Sequence, residues 1–121
     1  MANTFKVVTF AAEPASAGTP YVMYTVATST TTVVLGLVLS NINTTAVTAE
    51  VELVSTTSSR GGVNNVANGT SFLIKDVNIP TGSSLEILSG GKVVLEAGDK
   101  IQIDCSVADK LSGTLSIMEI T

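Results

Sequence analysis

From Lys100 to Val107 apolar and polar residues alternate without a break: Ile101, Ile103, Cys105 and Val107 against Lys100, Gln102, Asp104 and Ser106. Successive strand side chains point to opposite sides of a sheet, so this stretch predicts a strand with one buried and one wet face. Lys92 to Leu95 predicts the strand before it, and Glu96-Ala97-Gly98-Asp99 a tight turn joining the two as a hairpin. Gly98 tolerates φ > 0 there, and Asp99 can bond its own nearby backbone. The same alternation recurs at Val47, Ala49, Val51 and Leu53, with Glu50 and Glu52 on the wet face. It recurs again from Leu111 to Ile120, where Leu111, Gly113, Leu115, Ile117 and Glu119 share one face.

Other segments read less cleanly. Thr4 to Phe10 predicts a short strand with Phe5, Val7 and Thr9 on one side and Lys6, Val8 and Phe10 on the other. Apolar residues on both sides suggest burial on both, so Phe5, Val8 and Phe10 are candidate contacts with a neighbouring subunit. Residues 1–20 form an N-terminal arm and a small-residue loop containing Pro14 and Pro20. Tyr21 to Ala27 predicts a second strand. The run from Val33 to Ser40, VVLGLVLS, fits a central strand buried on both faces, with Gly36 marking a bulge or a close backbone approach. Ser71 to Ile79 is a strand with Phe72, Ile74 and Asp76 on one face and Leu73, Lys75 and Val77 on the other. Ser84 to Leu88 is extended. Residues 55–70 lack periodicity and read as a long exposed loop or a hairpin tip; a loop of this length is commonly functional. Arg60, Asn64, Asn65 and Asn68 within it are the candidate partner contacts.

About eight or nine short strands at close spacing, with no helix-period segment, predict one all-β domain over residues 1–121: an antiparallel β-sandwich of jelly-roll type. Composition sharpens this. Apolar residues make up 45% of the 121, aromatics only 4% and charged residues 13%. The core must therefore be Val, Ile, Leu and Ala, residues suited to pleated surfaces. Charged residues are scarcer than the roughly 25% of an ordinary soluble domain. The longest apolar run, Val33 to Leu39, is too short for a membrane-spanning helix, so coverage by partner subunits is the preferred explanation.

The net charge is −4, with one arginine and five scattered lysines, which disfavours nucleic-acid binding. The start, MANTFKVVTF, lacks the basic and apolar regions of a Sec-type signal peptide. Asn43-Thr44-Thr45 and Asn68-Gly69-Thr70 match the glycosylation sequon and are read as chance matches.

Candidate chemistry is sparse. The chain has no histidine, which removes Ser-His-Asp and Cys-His catalysis and histidine zinc sites. Cys105, the one cysteine, lies on an inward face and reads as a small buried hydrophobe. Glu96, Asp99, Asp104 and Asp109 are spread along the last hairpin and are expected to be solvated charges rather than a calcium site. Glu50 and Glu52 share a wet face without a pocket, unlike a glycosidase pair. Arg60-Gly61-Gly62 does not follow a strand and open a helix, so phosphate binding is unsupported. Phe5, Phe10, Tyr21, Tyr24 and Phe72 could form a sugar-stacking platform, but read better as the few large core residues. No catalytic residue, metal ligand or cofactor is expected.

The order of motifs carries a resemblance. Ala2-Asn3-Thr4-Phe5-Lys6 is followed by Tyr24-Thr25-Val26 and a Thr-rich run into Val33-Val34-Leu35-Gly36-Leu37. Then come Leu39-Ser40-Asn41-Ile42, Leu73-Ile74-Lys75-Asp76-Val77-Asn78-Ile79-Pro80 and Gly82-Ser83-Ser84-Leu85. The end reads Gly91-Lys92-Val93-Val94-Leu95-Glu96, Gly98-Asp99-Lys100-Ile101 and Leu115-Ser116-Ile117-Met118-Glu119-Ile120. This resembles a family of small β-rich virion proteins of tailed phages, notably marine cyanophages, over nearly the whole chain except residues 55–70. The resemblance implies a non-enzymatic structural protein of the virion, assembled in the host cytoplasm. On that reading it is a capsid decoration (cement) protein bound to the major capsid protein as a homo-oligomer, with a trimer favoured. The alternative is a tail, collar or fibre-associated module touching host glycans. A small-molecule or sugar-binding sandwich outside any virus is a third expectation, and the shortage of aromatics counts against its pocket.

Overall fold

The computed structural model describes residues 2–55, 69–88 and 91–121. Nine strands appear among them: β1 (Asn3–Glu13), β2 (Tyr21–Thr25), β3 (Thr31–Asn41), β4 (Val47–Val54), β5 (Thr70–Ile79), β6 (Ser84–Glu86), β7 (Val93–Leu95), β8 (Lys100–Cys105) and β9 (Leu111–Ile120). They form two antiparallel sheets. The first runs β1-β9-β3-β6, with β7 also on β3, and the second runs β2-β8-β4-β5. The chain enters the first sheet with β1, passes to the second with β2, returns with β3, and ends in the first with β9. This order, with the two short strands β6 and β7 sharing one edge, is a jelly-roll sandwich, as the turn spacing predicts.

The alternating segments face as expected. Ile101, Ile103 and Cys105 of β8 are buried, as are Val47, Ala49 and Val51 of β4 and Leu111, Gly113, Leu115 and Ile117 of β9. Leu37, Leu39, Val34, Ile79 and Leu95 join them in one aliphatic core. Fully burying one such side chain is worth about 1.5–3 kcal/mol. β3 is central, and its register with β9 slips between Val34 and Gly36, the bulge anticipated at that glycine. Its second face is half-buried rather than covered.

Four features depart from the sequence reading. First, β7 and β8 are not a hairpin: β7 pairs with β3 in the first sheet, while β8 pairs with β2 and β4 in the second. The Glu96–Asp99 turn is a corner between sheets. Gly98 at φ 88 makes the bend, Val26 N donates to Asp99 O at 2.9 Å, and Gly98 N donates to Val26 O at 3.0 Å. Second, Asp99 is not a solvated charge. It is buried, and its Oδ2 accepts the Glu96 N–H at 3.0 Å inside that corner. Third, Ile74 and Val77 face the same way, because each opposes a buried residue of β4, Val51 and Ala49. Asp76, at φ 50, takes up the parity change as a bulge, which a strict period of two does not foresee. Fourth, β1 is a full edge strand through Glu13, not a short strand followed by a loop.

Phe10 also moves inward. Its ring is buried, meets Tyr21 edge-on at a 5.4 Å centroid distance, and lies over Gly113, where a Cβ would collide with it. Asn41, the last residue of β3, is buried and donates from Nδ2 to Ile79 O at 2.9 Å and Thr45 O at 3.0 Å. Beyond β4, Ser55 N donates to Gly69 O at 2.8 Å, and Val54 opposes Thr70, so β4 and β5 form a hairpin. Residues 56–68, most of the predicted long loop, lie outside the described residues.

Two substitutions check this arrangement. Ile103→Asp puts an unpaired carboxylate at a fully buried site, at a cost of several kcal/mol against a total stability of about 5–15 kcal/mol. The variant is expected to show no cooperative thermal transition by circular dichroism. Asp99→Ala leaves the Glu96 N–H without this acceptor and is expected to lower unfolding free energy by about 1–3 kcal/mol in a denaturant titration. An unchanged midpoint would refute the role of the corner.

Candidate interaction surface

The two outer faces of the sandwich differ in kind. On the first sheet one row crosses four strands: Phe5 opposes Met118, Met118 opposes Val33, and Val33 opposes Val94. All four are apolar. Phe5 is 72% exposed, Val94 61%, and Val7, in the next row beside Ser116, 64%. Leu35 joins Phe5, Val7 and Ser116 around a shallow groove. Strand alternation puts these residues outside because their neighbours fill the core. Contiguous apolar patches of this kind are uncommon on monomeric soluble proteins and mark contact surfaces.

The outer face of the second sheet is more polar, although Val22, opposite Gln102, and Phe72, opposite Glu52, stand exposed on it. Glu50 opposes Asp104, and Glu52 opposes Gln102, whose Nε2 donates to Glu52 Oε2 at 3.1 Å. Lys75 Nζ reaches Glu50 Oε1 at 3.1 Å and lies 4.6 Å from the centroid of the Phe72 ring. The hydrogen bond to Glu50 raises the Lys75 pKa, although the side chain stays largely exposed. Asp104 Oδ1 accepts from Gly18 N at 3.2 Å and Cys105 N at 2.8 Å. Glu50, Asp76 and Asp104 line a small pocket with Gly18, Thr48 and Ser106. Among the described residues no group of three His, Cys, Asp or Glu is placed to hold a metal ion.

A polar tie closes one end of the sandwich. Tyr24 of β2 donates its hydroxyl to Glu119 Oε2 at 2.6 Å and lies 2.8 Å from Thr32 Oγ1. Lys6 Nζ lies 2.6 Å from Glu119 Oε1. Burial first, and then donation to the carboxylate, push the Tyr24 pKa up to about 12. Lys6 first, and then Tyr24, hold Glu119 below its usual range. The tie joins a strand of the second sheet to three strands of the first. It arises because Lys6, Glu119 and Thr32 are inward positions at the end of their strands, where the core gives way to water.

The sequence candidates fall in different places. Of Phe5, Val8 and Phe10, Phe5 alone stands on the exposed face. Val8 is half-buried against the core and Phe10 lies within it, because their parity in β1 turns them inward. Arg60, Asn64, Asn65 and Asn68 lie outside the described residues. Phe5 and Phe72 are exposed on different sheets, so the aromatic residues form neither a single platform nor a set of core residues. Cys105 is buried, as expected. Met118, Val33 and Val94 were missed as surface residues. Met118 sits on an otherwise mostly polar outer parity of β9 and Val33 in a run read as buried, and only pairing shows that they line up across strands.

No protein-family model, curated protein or solved structure matches the chain.

The Tyr24 tie gives a pH test. A phenol whose folded pKa is raised stabilises the fold fully below the ordinary value of 10.0, and this contribution disappears as pH rises toward about 12. Tyr24→Phe is therefore expected to melt lower at neutral pH, and to lose less stability than the parent between pH 10.0 and about 12. Parallel loss in both proteins would contradict the tie.

Proposed function

We propose that the chain is a non-enzymatic structural protein of a tailed-phage virion, a capsid decoration protein that oligomerises and binds the particle surface. The observation that carries this reading is the apolar outer face of the first sheet, where Phe5, Val7, Met118, Val33 and Val94 stand together. A face of this kind suits a protein that works covered by neighbours. The low share of charged residues agrees with it, as does the resemblance of the motif order to small virion proteins. Jelly rolls build viral capsid domains and also lectins, so the fold is compatible with this reading without selecting it. In this reading the partners are the major capsid protein and further copies of the chain, and no cofactor, nucleic acid or membrane takes part.

Copy number tests it. Quantitative mass spectrometry of purified virions from a phage encoding this chain is expected to find it at a fixed ratio to the major capsid protein, in numbers that scale with the capsid lattice. A few copies per particle would place it on the tail, collar or fibre instead. Absence from the virion would overturn the reading altogether.

A further inference from the structure

The two sheets offer four edges, and three carry the devices that keep an edge from pairing with another chain. β2 is five residues long, follows Pro20 and is irregular between Val22 and Tyr24. β5 is bulged twice and carries Lys75 and Asp76 at the irregularity. The edge beside β3 is made of two strands of three residues each, β6 and β7. β1 differs. It is eleven residues long, contains no proline, and keeps an unbroken register with β9 from Asn3 to Phe10.

Its hydrogen-bonding parity follows from one pair. Ala2 and Thr121 exchange both backbone bonds, at 3.1 and 3.0 Å. In an antiparallel ladder bonded and non-bonded pairs alternate, so Thr4, Lys6, Val8 and Phe10 also bond to β9. Asn3, Phe5, Val7 and Thr9 therefore direct N–H and C=O away from the sheet. No described residue bonds these groups, and the segment Asn3 to Val7 is exposed throughout. The side chains of Phe5 and Val7 stand on the apolar outer face at this same place.

We propose that β1 pairs antiparallel with β1 of a second copy of this chain, about a two-fold axis, joining the two first sheets and their apolar faces into one. The strand is complementary to itself: the same four residues supply donors and acceptors on both sides, and Phe5 and Val7 of each copy lie at the centre. The chain is net −4, yet between Asn3 and Ala12 the only charged residue is Lys6; the two copies of it meet across the axis, and each is held by its own Glu119. Identical edges are satisfied two at a time, so this surface builds pairs; the trimer favoured from sequence would need another surface. The proposal rests on the reading of the chain as an assembling protein, but not on its place in a particle.

Analytical ultracentrifugation of the full chain across a dilution series tests it, with Val7→Pro as the variant. Proline at position 7 removes an N–H that the monomer does not use, and the outward side of an edge strand tolerates it. The parent is expected to sediment at twice the 12.4 kDa chain mass, and Val7→Pro at the chain mass with an unchanged melting temperature. A parent that stays monomeric, or a Val7→Pro dimer, would overturn the pairing. Amide hydrogen exchange on the parent decides the matter should the variant not fold. Protected Phe5, Val7 and Thr9 amides that lose protection on dilution support the pairing, and fast exchange at these amides at every concentration contradicts it. None of these results depends on copy number in a virion, so the two proposals fail separately.

Discussion

Everything in this molecule depends on the burial of one aliphatic layer between two sheets. The chain has few aromatics and few charges, so the core must be filled by Leu, Ile and Val from the inward parity of nearly every strand. That requirement fixes which residues face out. It also explains the position of the one buried phenylalanine: Phe10 fits because Gly113 opposite it has no side chain, and the ring covers the backbone that glycine leaves bare.

With the core defined, the outer faces take what remains, and they receive different material. The second sheet shows Glu50, Glu52, Asp104 and Lys75 to water and balances part of that charge within itself. The first sheet shows Phe5, Val7, Met118, Val33 and Val94. The most exposed apolar side chains, Phe5, Val7 and Val94, thus stand on the first sheet, while Val22 and Phe72 are less exposed on the second. The first sheet also carries the long, regular edge of β1, so unsatisfied backbone and exposed apolar surface coincide. Either feature alone is ordinary; the proposed contact rests on their coincidence.

Much of this was legible in the sequence. The facing of β4, β8 and β9 follows from alternation, the bulge of β3 from Gly36, and the buried thiol from its parity. What was not legible is pairing. Local pattern says that Val93 and Ile101 lie in strands, but nothing local says that those strands belong to different sheets, so the Gly98 corner read as a hairpin turn. For the same reason Asp99 read as solvated: its burial comes from the end of β2, far away in sequence. The β5 bulge depends on Asp76 adopting a left-handed conformation, which an aspartate permits without announcing. The apolar face was visible only as scattered outer residues, and its continuity across four strands is a property of register.

The claim at the centre of this account is that the outer face of the first sheet, and not that of the second, is covered in the working assembly. Hydroxyl-radical footprinting measures this directly, because reporters stand on both faces: exposed Phe5 with half-buried Met118 on one, and Phe72, 46% exposed, on the other. The account predicts that Phe5 and Met118 are oxidised more slowly in intact virions than in the dissociated chain, while Phe72 reacts more nearly alike in both. Equal reactivity of Phe5 in the two states, or protection confined to Phe72, would contradict it.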